Sequence, residues 1–121
     1  RQQLLNAWKF MASDSNSVQE IDAATAKAWV DAGDAVILDV REDAELLDAR
    51  IPGAVHNAMS SFDFDNVPKQ DGKKVVVMCA HGMRSMQVAD YLLRQGMLDE
   101  VYNMTGGIVG WAQSGLPFEQ G

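Results

Sequence analysis

The chain has 121 residues, a length that suits one domain with a single buried core. Its 47% apolar and 22% charged residues make an ordinary globular mix and argue against a disordered chain. The net charge of −7 repels phosphate backbones and anionic lipid, so nucleic acid and membrane surfaces are poor partners. No apolar run is long enough for a membrane span.

Residues 2–11 place Leu4, Leu5, Trp8 and Met11 at helical spacing, and the polar stretch Ser13–Ser17 reads as a linker. Residues 1–17 are therefore expected to be an N-terminal helix and linker, with the compact domain over 18–121. The chain starts at Arg1 and has no apolar leader segment, which points to a fragment, a processed form or a trimmed chain. Val18–Ile21 alternates as a short edge strand. Asp22 is placed to cap a helix that carries Ala26, Trp29 and Val30 inward and stops at Gly33. The apolar run Ala35–Leu38, ending in Asp39, predicts a strand covered on both faces. A short acidic helix follows over Asp43–Asp48, then a Pro52-Gly53 turn and a third strand over Ala54–Ala58. Ser61–Gly72 is polar and irregular, and the basic cluster Lys69–Lys74 reads as a solvated turn. Val75–Met78 is the clearest strand and runs straight into Cys79. A helix is expected from Arg84 to Gln95 with Val88, Ala89, Leu92 and Leu93 on one face. Val101–Met104 is a last strand, Gly106-Gly107 a turn, and Ile108–Gln113 a closing helix that carries Trp111.

Apolar strands that alternate with helical patterns predict an α/β fold: a mostly parallel sheet of about five strands with helices on both faces. Sites in such sheets lie beyond the carboxyl ends of the strands, where Asp39 and Cys79 both fall. Cys79 is the only cysteine, so no internal disulfide can form, and with only His56 and His81 beside it no metal site is expected. Composition alone would make it a small buried hydrophobe. Its neighbours point the other way. In Cys79-Ala80-His81-Gly82-Met83-Arg84-Ser85 a buried strand turns sharply into a helix start. Successive N–H groups of such a turn face inward, the helix adds its positive end, and Gly82 frees the backbone. A thiol in that cradle ionises below its usual value and forms a covalent adduct with an electrophile.

Two families use such a loop. Cysteine phosphatases set five residues between Cys and Arg, whereas only four separate Cys79 from Arg84. The loop resembles instead the rhodanese sulfurtransferases, with their pattern Cys-x-x-Gly-x-Arg-[Ser/Thr], met by Cys79, Gly82, Arg84 and Ser85. Asp39-Val40-Arg41-Glu42, Ile51-Pro52-Gly53-Ala54 and Gly106-Gly107-Ile108-Val109-Gly110-Trp111 are similar to three further segments of that family, in order. Arg50 stands where members commonly have His.

The resemblance implies a rhodanese-like fold and a cycle without metal or organic cofactor. Cys79 takes the outer sulfur of a small anionic donor such as thiosulfate, and a thiol, a protein or cyanide accepts it from the persulfide. Ala80, His81, Gly82, Met83, Arg84 and Ser85 form the active-site and substrate-binding loop. Arg84 either aims at the bound anion or braces the loop; Ser85 serves the helix start, and Met83 forms an apolar rim. Asp39 and Arg41 lie at the neighbouring strand end; either they pair with each other or with Glu42 and brace the loop, or Arg41 helps to draw in the anionic donor. The rival readings are a persulfide relay or regulatory binding domain of a larger protein, and a phosphatase or arsenate reductase on the same fold. The cytoplasm is the expected compartment, since a lone reactive thiol persists under reducing conditions, with a removed leader left open.

Overall fold

The computed structural model describes residues 17–69 and 71–120. The helix expected over 2–11 lies outside them, as does most of the linker after it. The elements follow in the order β1 (Gln19–Ile21), α1 (Ala23–Asp31), β2 (Ala35–Asp39), α2 (Asp43–Asp48), β3 (Val55–His56), β4 (Lys74–Met78), α3 (Met83–Arg94), β5 (Tyr102–Met104) and α4 (Gly107–Gln113). Single 3-10 turns occupy Met59–Ser61 and Phe64–Asn66, within the stretch expected to be irregular.

The five strands form one sheet in the order β1-β5-β4-β2-β3, and every neighbouring pair is parallel. The long pair at the centre, β2 and β4, aligns Ala35 with Lys74 and Asp39 with Met78. Parallel pairing demands crossovers, and the crossover helices together with α4 cover both faces. On one face α1 and α4 bury Ala26, Ile108 and Trp111 against Ile37, Val76, Met78 and Met104. On the other α3 lays Val88, Ala89 and Leu92 on Leu38, Val75, Val77 and Val101.

Local chemistry sets the element ends. The Asp22 carboxylate accepts from the Thr25 N–H at 2.8 Å and caps α1. Glu42 and Glu45 make a reciprocal capping box at the start of α2. The third strand is shorter than expected. Its neighbour Asn57 turns the chain away: the side chain donates to the Asp63 carbonyl at 2.8 Å and accepts from the Asp63 N–H at 2.9 Å. Arg50 exchanges two backbone hydrogen bonds with Glu119, an isolated bridge that ties the end of the described chain to the segment before β3.

After β2 the chain moves to β3 on one side, and after β4 it moves to β5 on the other. The carboxyl ends of β2 and β4 therefore bound the crevice at which the topology reverses, the usual place for a site in an open parallel sheet.

Candidate active site

Cys79 is the first residue after β4 and is 1% exposed. Three residues later Gly82 takes a φ of 100°, a left-handed conformation open to glycine, and α3 starts at Met83. The sharp reversal folds the loop over the sulfur. The Gly82 N–H donates to Cys79 Sγ at 3.1 Å and the Ser85 N–H at 3.3 Å. The Ser85 amide belongs to the first turn of α3, whose N–H groups have no partner within the helix. The sulfur takes one of them and sits at the positive end of the helix dipole. Ser85 Oγ lies 3.3 Å from Sγ. Burial by itself pushes the thiol pKa up. The Ser85 hydroxyl, followed by the N–H groups of Ser85, Gly82 and His81, outweighs burial and brings it below the ordinary value.

A second element shapes the loop from behind. At the start of α4 the Ile108 N–H donates to the Cys79 carbonyl at 2.9 Å and the Val109 N–H to the Ala80 carbonyl at 3.2 Å. Holding the carbonyls outward leaves the loop amides to face inward. Such closeness requires Gly107, whose φ is +56°: a Cβ there would lie 2.3 Å from the Cys79 carbonyl oxygen and 2.4 Å from that of Ala80. The Gly106-Gly107 pair is thus part of the site and not only a turn.

The two arginines are both committed to acids. Arg84 grips Glu45 of α2 with both prongs, Nη1 to Oε2 and Nη2 to Oε1, each at 2.8 Å. The Arg84 guanidinium holds the Glu45 carboxyl down at about 2, and Glu45 raises the Arg84 pKa in return. Arg84 therefore ties α3 to α2, which is the bracing arrangement. Arg41 is buried against Asp39, with Nη2 at 2.8 Å from Oδ2 and Nε at 3.0 Å from Oδ1. It also donates to the carbonyls of Glu45 within α2 and of Ala49 just after it, and so fastens that helix. Arg41 is 2% exposed, with its guanidinium turned to Asp39.

The remaining sequence candidates line the rim. Ala80 is half-buried, His81 is exposed, and Met83 is 77% exposed beside the loop. His56 stands behind the site, with Nε2 2.7 Å from the Arg41 carbonyl; since a carbonyl only accepts, Nε2 carries the proton. Among the described residues no group of acidic, His and Cys side chains gathers to hold a metal, and no helix is long and apolar enough to cross a membrane.

Sequence reasoning missed Glu45 and Asn103. Asn103 is buried on β5, where its side chain meets both Ser85 and the Gly82 carbonyl. A polar residue in the short apolar strand Val101–Met104 was the available signal.

A family model described as the rhodanese-like domain matches residues 22–114. A protein of Allochromatium vinosum named sulfurtransferase is 36% identical over 103 residues, which cover 83% of this chain and 94% of that one. A thiosulfate sulfurtransferase GlpE of Actinobacillus succinogenes is 36% identical over 102 residues, with 77% and 85% covered. Among solved structures, a rhodanese-related protein from Thermoplasma volcanium superposes with a TM-score of 0.72 at 31% identity, covering 84% of this chain and 97% of that one.

Proposed function

We propose, because the chain belongs to the rhodanese-like family, that it is a sulfurtransferase that carries sulfane sulfur on Cys79. The observation that carries this reading is the cradle of N–H groups around Sγ, at 3.1 Å from Gly82 and 3.3 Å from Ser85. In the first step the Cys79 thiolate attacks the outer sulfur of a donor such as thiosulfate. The donor S–S bond breaks, sulfite leaves with the bonding pair, and Cys79 becomes a persulfide. In the second step an acceptor thiol, protein or cyanide attacks the terminal sulfur, and Cys79 leaves as the thiolate. A persulfide is itself an anion, so the loop amides that favour the thiolate also favour the intermediate. Nucleophilic displacement at sulfur suffices for both steps, which need no metal or organic cofactor. With Arg41 and Arg84 paired to acids, the backbone amides supply the attraction for an anionic donor against the net charge of −7.

The Arg84–Glu45 grip also weighs against the phosphatase alternative, which needs a guanidinium free to encircle a phosphate. The test is an intact mass before and after thiosulfate, alongside Cys79→Ser. The wild type is expected to gain about 32 mass units, one sulfur atom, lost again to cyanide and never gained by the variant. If neither thiosulfate nor a protein persulfide adds mass to Cys79, the sulfurtransferase reading falls. Aryl-phosphate turnover that depends on Cys79 would put the phosphatase in its place.

A further inference from the structure

Ser85 has one hydroxyl proton and two neighbours that could take it. On one side is Cys79 Sγ, 3.3 Å away, and on the other is Asn103 Oδ1. Which end of the Asn103 amide faces Ser85 is fixed by its far side. The Nδ2 group donates to the Gly82 carbonyl at 3.0 Å and reaches Glu20 Oε2 at 3.5 Å, both of which can only accept. Oδ1 must therefore face Ser85, and as a pure acceptor it requires the Ser85 proton. Ser85 Oγ then presents a lone pair to the sulfur, an arrangement that suits a thiol, whose S–H donates to Ser85.

A thiolate has no proton to give. For Ser85 to stabilise it, the hydroxyl must swing its proton from Asn103 to the sulfur. Asn103 Oδ1, in a buried place, then loses its donor. We propose that Asn103 is a positioning residue which competes with Cys79 for the single Ser85 proton and so holds back ionisation of the thiol. The competition keeps the sulfur basic. Because intrinsic nucleophilicity falls as a thiol's pKa falls, a sulfur released wholly to the cradle would be more ionised but slower to attack. The charged groups around this triad are Glu20 of β1, the Glu45–Arg84 and Asp39–Arg41 pairs, and His81 of the loop.

The inference concerns the same sulfur as the sulfurtransferase reading, but its test uses no sulfur donor, so either can fail alone. Cys79 is the only cysteine, so the pH dependence of iodoacetamide alkylation of the intact chain reports its ionisation directly. Asn103→Leu removes the competing acceptor, and the midpoint is expected to fall by about one pH unit. Asn103→Asp keeps an oxygen opposite Ser85, and its midpoint is expected to stay or to rise. Both variants lose the same donor to the Gly82 carbonyl, so damage to the loop would move them alike. In a Ser85→Ala background Asn103→Leu should leave the midpoint where Ser85→Ala alone puts it. Midpoints that shift in the same direction for Leu and Asp, or a Leu shift that survives removal of Ser85, overturn the proposal. Should Asn103→Leu not fold, Asn103→Ser, too short to reach Ser85, takes its place with the same expectation.

Discussion

Replacing Gly107 by alanine tests whether α4 shapes the thiol loop. The added Cβ would sit 2.3 Å from the Cys79 carbonyl oxygen, where real contacts stay above 3.0 Å, so α4 must retreat by at least about 0.7 Å. A retreat of that size stretches the 2.9 Å bond from the Ile108 N–H to the Cys79 carbonyl beyond hydrogen-bond range, and the 3.2 Å bond from Val109 with it. Holding alanine at a φ of +56° adds roughly 1–2 kcal/mol, and each lost backbone bond about 1 kcal/mol. Gly107→Ala is therefore expected to lose about 3–4 kcal/mol in urea unfolding, a large share of the 5–15 kcal/mol typical of a domain. The freed carbonyls let the loop relax, the amides point away from the sulfur, and the alkylation midpoint of Cys79 should move up towards that of an ordinary thiol. A variant less than about 1 kcal/mol weaker, with an unchanged midpoint, would refute the role given to α4.

Three further substitutions separate the remaining contributions. Alkylation of the wild type should rise with pH and level off earlier than for a free cysteine, since the folded site lowers the Cys79 pKa. Ser85→Ala removes the hydroxyl and should shift that curve upward by about one pH unit, cutting the rate about tenfold well below the midpoint. Glu45→Gln breaks the grip on Arg84. The Glu45 carboxyl titrates near 2 in the folded chain and at 4.5 without the fold, so its stabilisation is complete above 4.5 and is lost as pH falls through about 2. The pair is about one-third exposed, so the expected cost at neutral pH is about 1 kcal/mol and not the full value of the shift. Urea midpoints measured across that acid range should depend less on pH in Glu45→Gln. Arg41→Met strands the buried Asp39 carboxylate and is expected to cost about 3–5 kcal/mol in the same urea assay. A loss below about 1 kcal/mol would show that Asp39 has found another partner.

What the sequence disclosed was local. Apolar runs announced β2 and β4, the Asp22 cap and Gly33 stop bounded α1, and the position of Cys79 at a strand end followed from the alternation of elements. The edges of those elements shifted by a residue or two, as α3 did in starting at Met83, because Gly82 turns the chain one residue earlier. The contacts that decide what the site residues do span long stretches of chain. Arg84 meets Glu45 across 39 residues, and Ser85 meets Asn103 across 18. No local pattern encodes such meetings, and the same Arg84 fits either reading until its partner is seen. The Gly106-Gly107 turn was readable as a turn. Its second purpose, room for two carbonyls belonging to Cys79 and Ala80, exists only once α4 has docked.

The strand order has a consequence for when the surroundings of Cys79 are completed. Among the described residues β5 is the last strand, yet it lies between β1 and β4, and β1 has no other neighbour in the sheet. During synthesis from the amino terminus, β1 must wait unpaired until residues 102–104 have been made. Cys79 is made 28 residues before Gly107, a delay of roughly 1–6 s at ordinary elongation rates. Throughout that interval the sulfur lacks both the clamp from α4 and the contact of Ser85 with Asn103. The loop around Cys79 therefore gains its support from α4, and Ser85 its partner Asn103, only after the rest of the sheet has been made.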